Sequence, residues 1–135
     1  MPSSGNDASP APEFKKPVNM NNRGKVTSIS MDQVFALQQS GKAMIFDARP
    51  AFFYQVSHIP GAVSLPKNNC DAVIHAKEAD IKAALAEGKT LIVYCTNLMC
   101  PDARTVATHL SGFGYPASVF HGGWESWQEA GMPTD

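Results

Sequence analysis

The stretch Leu91 to Leu110, LIVYCTNLMCPDARTVATHL, limits what this chain can fold into more than any other. Thr90 to Tyr94 is short and continuously apolar or β-branched, the pattern of a strand buried on both faces of a parallel sheet. The run stops at Cys95. A short loop with a second cysteine, Cys100, follows, and Ala103, Val106, Ala107 and Leu110 then recur at helical spacing. A strand tip exposes a sulfur, while loop amides and a helix N-terminus favour its anion, so this order makes Cys95 the candidate nucleophile.

The rest of the chain repeats the alternation. Val26 to Ile29 reads as a strand, and Ser30 opens a helix through a Ser-x-x-Gln capping box completed by Gln33, with Val34 and Leu37 on its buried side and Gly41 at its end. Ala43 to Phe46 reads as a strand ending at Asp47, Ala51 to Val56 as a short helix, and Ala62 to Leu65 as a brief strand after the His58-Ile59-Pro60-Gly61 turn. Ile81, Ala84 and Leu85 mark a helix stopped at Gly88. Ser118 to Phe120 forms the last strand, and Gly122-Gly123 leads into a helix anchored by Trp124 and Trp127. The sum is an α/β fold with a mainly parallel sheet.

One domain is expected over residues 25–135, because 135 residues with 44% hydrophobic and 17% charged content suit one core better than two. Residues 1–24 hold four prolines among Ser, Gly, Asn and Ala and read as a disordered arm or linker. A net charge of −1 gives no drive toward nucleic acid or an anionic membrane. No apolar run approaches the ~18 residues needed to span a bilayer, and no signal peptide opens the chain. A chain complete as given would be cytoplasmic; an arm cut from a membrane anchor would suit an exported or tethered protein. Three cysteines are too few and too uneven for a disulfide scaffold, so their chemistry is local.

Ligands of parallel sheets gather outside the carboxyl ends of the strands. Asp47 with Arg49, Cys95 with its loop, and His121 with Gly122-Gly123 each follow directly after a strand, so topology alone brings them to one edge.

Three segments carry a family resemblance: DARPAFFYQVSHIPGAVSLP (Asp47 to Pro66), LIVYC with its loop and helix, and FHGGWESWQEAGMP (Phe120 to Pro133). In this order they resemble the signature regions of the rhodanese-like domain superfamily, single-domain sulfurtransferase type. The resemblance implies a central five-stranded sheet flanked by helices on both faces. It also implies a Cys95 that takes up sulfane sulfur as a persulfide and hands it to a thiol or another nucleophile. Thr96, Asn97, Leu98, Met99, Arg49, Arg104 and His121 would contact substrate, with Asp47 and His58 holding turns nearby.

The same chemistry follows from the thiol. An ordinary cysteine with a pKa of ~8.5 is mostly protonated at neutral pH, so amides of residues 96 to 100, and a helix opened by Pro101, are expected to stabilise the Cys95 anion. Family members often carry a basic residue five positions after the cysteine. Here that position is Cys100, and Asp102 adds negative charge, so thiosulfate is disfavoured as a donor. Cys100 would instead act as a resolving cysteine, attacking the Cys95 persulfide to close a disulfide and release sulfide, or else only fill space. Phe52, Phe53, Tyr54, Leu98 and Met99, if exposed together, form an apolar rim suited to a protein or organic thiol.

No cofactor or metal is required: a zinc site from Cys95, Cys100 and a histidine lacks a second ligand pair. The expected partners are a small sulfane-sulfur donor and a thiol acceptor, with no nucleic acid and no direct membrane contact. Two alternatives stay open. One is a non-catalytic binding or redox-sensing module; the other, a phosphatase or arsenate reductase, would need an arginine six residues past Cys95, where Pro101 stands. Cys70, in a polar Asn-Asn-Cys-Asp stretch, reads as incidental, and His75 and His109 have no evident partner.

Overall fold

Five strands build the centre: β1 (Val26–Ser28), β2 (Ala43–Asp47), β3 (Val63–Ser64), β4 (Thr90–Tyr94) and β5 (Ala117–Phe120). They lie in the order β1-β5-β4-β2-β3, and every pairing is parallel. This computed structural model describes residues 24–135 and, before them, a short parallel pairing of Pro2–Ser3 with Gly5–Asn6. Most of the expected arm over residues 1–24 therefore lies outside the described residues. Gly24 already belongs to the packed unit, since its carbonyl accepts from the Ser111 hydroxyl. No helix among the described residues is long and apolar enough to cross a membrane.

Alternation along the central strands divides the core in two. Leu91 and Val93 of β4 face one side with Phe46, Ala117 and Val119, while Ile92 and Tyr94 face the other with Ile45 and Phe120. The first side is covered by α3 (Cys70–Ala76), α4 (Glu78–Ala86) and α5 (Asp102–Gly112), through residues including Ile74, Ile81, Val106 and Leu110. The second is covered by α1 (Met31–Gln39) and α6 (Gly123–Glu129), through Val34, Trp124 and Trp127. Each fully buried aliphatic side chain contributes roughly 1.5–3 kcal/mol, so both layers are needed to hold the sheet.

Local signals explain the element ends. Ser30 Oγ accepts from the Gln33 amide at 3.2 Å, and Gln33 Oε1 accepts from the Ser30 amide at 3.1 Å, the reciprocal box expected for α1. The short helix α2 (Ala51–Val56) buries no residue, which leaves Phe52 and Phe53 at 68% and 50% exposure.

Helix α3 is an addition to the sequence reading. Its start is the polar Asn-Asn-Cys-Asp stretch, yet Cys70 and Ile74, one turn apart, both enter the core. Cys70 is 2% exposed, and burial, followed by the nearby Asp71 charge, pushes its thiol pKa up. It is a core residue. The two histidines without evident partners also have them, His109 Nδ1 lying 2.7 Å from Asp71 Oδ1 and His75 Nδ1 lying 3.1 Å from Glu78 Oε1.

Candidate active site

Register brings the three strand ends together. Asp47 of β2 pairs with Tyr94 of β4, and Tyr94 with Phe120 of β5, so Ala48, Cys95 and His121 emerge side by side at the carboxyl edge. Cys95 is bonded to Cys100 through a disulfide, with their Cα atoms 6.3 Å apart. The loop can curl this tightly because Asn97 folds it back: its carbonyl accepts from the Cys100 amide at 3.1 Å, and its Oδ1 accepts from the Met99 amide at 3.0 Å. Two of the amides expected to cradle the Cys95 sulfur are thus directed to Asn97. Pro101 caps α5, which begins at Asp102.

The cysteines differ in exposure. Cys95 is 2% exposed at the strand end, whereas Cys100 is only partly buried. A cavity of about 360 Å³ opens beside them. Asn97, Leu98, Met99, Arg104 and His121 line it together with both cysteines. Thr96 lies outside that lining, and its hydroxyl sits 4.0 Å from Cys95 Sγ. His121 is fixed by a 3.0 Å contact between its Nε2 and Ser28 Oγ. Leu98 and Met99 are 71% and 86% exposed.

Helix α6 clamps the first part of the loop, a feature that sequence reasoning missed. The amides of Trp124 and Glu125 donate to the carbonyls of Cys95 and Thr96, both at 2.9 Å. This close approach depends on Gly123, whose φ is +63° and whose Cβ, were it present, would lie 2.5 Å from the Cys95 carbonyl oxygen. The Gly122-Gly123 pair was the only sequence signal for it.

Charge near the sulfurs is mixed, with Arg104 in the lining of the cavity and Asp102 beside the cysteines. The sulfurs of Cys95 and Cys100 and a carboxylate oxygen of Asp102 all lie within 4.8 Å of one another, and Lys67 Nζ partly balances Asp102 at 3.2 Å. With the disulfide closed, this trio offers no thiolate to a metal. Cys70, Asp71 and His109 form a second such trio. There the thiol is buried and its pKa raised, so it is a poor ligand.

Arg49, expected to contact substrate, is placed elsewhere. It is 3% exposed, its Nη2 donates to Asp47 Oδ2 at 2.6 Å and to the Ser57 carbonyl at 2.7 Å, and its guanidinium stacks over Trp124 at 4.6 Å. Burial opposes its charge, but the hydrogen bond and charge of Asp47 outweigh that and raise its pKa. Asp47 in turn accepts from the Tyr94 hydroxyl at 2.7 Å, and that hydroxyl accepts from the Ile59 amide at 3.1 Å. Burial first, then the Asp47 charge, raises the Tyr94 pKa. His58 lies in the same layer, stacked on Tyr54 at 4.0 Å with its Nδ1 2.9 Å from the Tyr54 carbonyl. Tyr54 is tied down as well, its hydroxyl donating to the Ala62 carbonyl at 2.8 Å. It therefore differs from the freely exposed Phe52, Phe53, Leu98 and Met99.

Comparison with known proteins agrees with this architecture. The chain is 29% identical over 111 residues to an HTH-type transcriptional regulator of Mycobacterium tuberculosis, a match covering 80% of this chain and 44% of that relative's length. Among solved structures, the human single-domain sulfurtransferase TSTD1 superposes with a TM-score of 0.62 at 22% identity, over 76% of this chain and 95% of that one. An arsenic–antimony reductase from Leishmania major superposes with a TM-score of 0.63 at 21% identity, over 79% of this chain and 80% of that one. These likenesses show the fold. Residues 30–130 match the model of the rhodanese-like domain, and the chain belongs to that family.

Proposed function

We propose that this domain is a sulfurtransferase in which Cys95 captures sulfane sulfur and Cys100 resolves the product. The observation that carries the reading is the closed Cys95–Cys100 pair at the strand end beside the cavity. The Cys95 thiolate attacks the outer sulfur of a donor R–S–SH, forming Cys95–S–SH and expelling RS⁻. The Cys100 thiolate then attacks Cys95 Sγ, the bond to the outer sulfur breaks, HS⁻ leaves, and the disulfide remains. The sulfane sulfur is reduced by two electrons and the cysteine pair is oxidised by two. An external thiol that attacks the outer sulfur first takes the sulfur instead, and Cys95 returns as thiolate.

The site's charge favours an organic persulfide over thiosulfate. The Asp102 carboxylate beside both sulfurs opposes a dianion more strongly than a singly charged donor, Arg49 is bound to Asp47, and the arginine in the cavity lining is Arg104. Pro101, at the position where a phosphatase or arsenate reductase of this type needs an arginine, disfavours oxyanion chemistry. A redox-sensing module is the second reading, and the same disulfide supports it.

A single-turnover measurement tests the proposal. Reduced protein freed of external thiol and mixed with glutathione persulfide is expected to release one sulfide for each Cys95–Cys100 disulfide formed, and neither Cys95→Ser nor Cys100→Ser should do so beyond the donor's own decay. No sulfide beyond the donor's own decay, from protein whose Cys95–Cys100 pair hydrogen peroxide still oxidises to the disulfide, would overturn it in favour of the sensor.

A further inference from the structure

We propose that the disulfide is opened by a protein dithiol of the Cys-x-x-Cys type, which docks on Leu98 and Met99 and attacks Cys100, so that Cys95 is the leaving thiolate. This rests on the sulfurtransferase reading only for its place in a cycle; its chemistry concerns the disulfide alone.

Exposure decides which sulfur is attacked. Thiolate attack on a disulfide is in line with the S–S bond, so the nucleophile must reach the far side of the sulfur it bonds to. Cys95 is 2% exposed, and its backbone carbonyl is held by the Trp124 amide, which pins the residue under α6. Cys100 is partly exposed in the loop. Attack at Cys100 forms a mixed disulfide between the partner and Cys100, and the Cys95 sulfur departs with the electron pair. The partner's second thiolate then attacks its own first sulfur, closing the partner's disulfide and freeing the Cys100 thiolate. Two electrons move from partner to domain, and Cys95 is regenerated in the anionic form that accepts sulfur.

The surroundings define the partner. Leu98 and Met99, 71% and 86% exposed, stand between the two cysteines in sequence, and no charged residue lies from Cys95 to Pro101. Phe52 and Phe53, also exposed, follow β2, the neighbour of β4, at the same sheet edge. Exposed apolar side chains next to a partly buried cysteine suit a protein with an apolar surface around its own reactive cysteine. A small thiol such as glutathione has no apolar surface with which to cover these exposed side chains.

The experiment uses the full oxidised chain and thioredoxin whose second active-site cysteine is replaced by serine, so that the mixed disulfide is trapped. Peptide mapping is expected to find thioredoxin joined to Cys100. A bond to Cys95, or no adduct on protein that dithiothreitol still reduces, overturns the proposal. In parallel, Leu98→Ser/Met99→Ser is expected to slow reduction by intact thioredoxin about tenfold, from loss of two partly covered apolar side chains, while reduction by dithiothreitol is unchanged. An equal effect on both reductants, or on neither, refutes the docking surface. Failure of the sulfurtransferase reading would show separately, as absent sulfide release from glutathione persulfide.

Discussion

Replacing Gly123 with alanine tests how the reactive loop is held. The residue sits at φ +63°, which costs an L side chain roughly 1–2 kcal/mol. The new Cβ would also lie 2.5 Å from the Cys95 carbonyl oxygen and 3.0 Å from the Thr96 carbonyl carbon and oxygen. Those are backbone atoms and cannot rotate away, so α6 and the loop must separate. The amide bonds from Trp124 and Glu125 to Cys95 and Thr96 are the contacts at risk. At about 1 kcal/mol each, their loss with the strain gives ~3–4 kcal/mol, a large fraction of the ~5–15 kcal/mol that holds a domain. Gly131 is the internal control: its φ is +71°, but nothing lies within 4 Å of the place a Cβ would take, so Gly131→Ala carries the strain alone, roughly 1–2 kcal/mol. Urea unfolding of oxidised protein should show Gly123→Ala about 2 kcal/mol worse than Gly131→Ala. Equal losses would refute the idea that α6 clamps the cysteine loop.

Other consequences follow from the same geometry. Tyr94→Phe strands the Ile59 amide and removes one donor from buried Asp47, so urea unfolding should show a loss of about 2–4 kcal/mol; a change under ~0.5 kcal/mol would contradict that role. Asp102→Asn removes the carboxylate beside the sulfurs and should raise kcat/KM for the thiosulfate dianion about tenfold, read as sulfite release, with a smaller gain for a singly charged organic persulfide. Cys70 is protonated in the core and its pKa lies above the ordinary thiol value, so its contribution to stability is complete below that ordinary value and is lost as pH rises through the raised one. Cys70→Ala should therefore flatten the alkaline limb of the stability profile, and an unchanged limb would count against this.

Much of the fold was legible because neighbouring signals agreed. Leu91 to Tyr94 is apolar at every position, and the structure buries its alternate residues in two separate helical layers. The Ser30–Gln33 box marked α1 because its two hydrogen bonds need only local spacing. Helix α3 was missed because its polar first turn masks Cys70 and Ile74, whose burial depends on α4 and α5 folding against them. The candidate site was legible as an edge, since parallel topology brings strand ends together, but not as a set of contacts. Arg49 illustrates the difference: two residues from Asp47, it has a buried partner on its own loop and a ring from α6 above it. The need for glycine at Gly123 likewise arises from a carbonyl distant in sequence.

The most direct test of sulfur capture at Cys95 is the intact mass of reduced Cys100→Ser after exposure to glutathione persulfide, followed by peptide mapping. Without the resolving thiol, the first intermediate has no internal exit. The account predicts a stable gain of one sulfur atom, located on Cys95 and removed by an added thiol. An unmodified Cys95, or sulfur found only on Cys70, would contradict it.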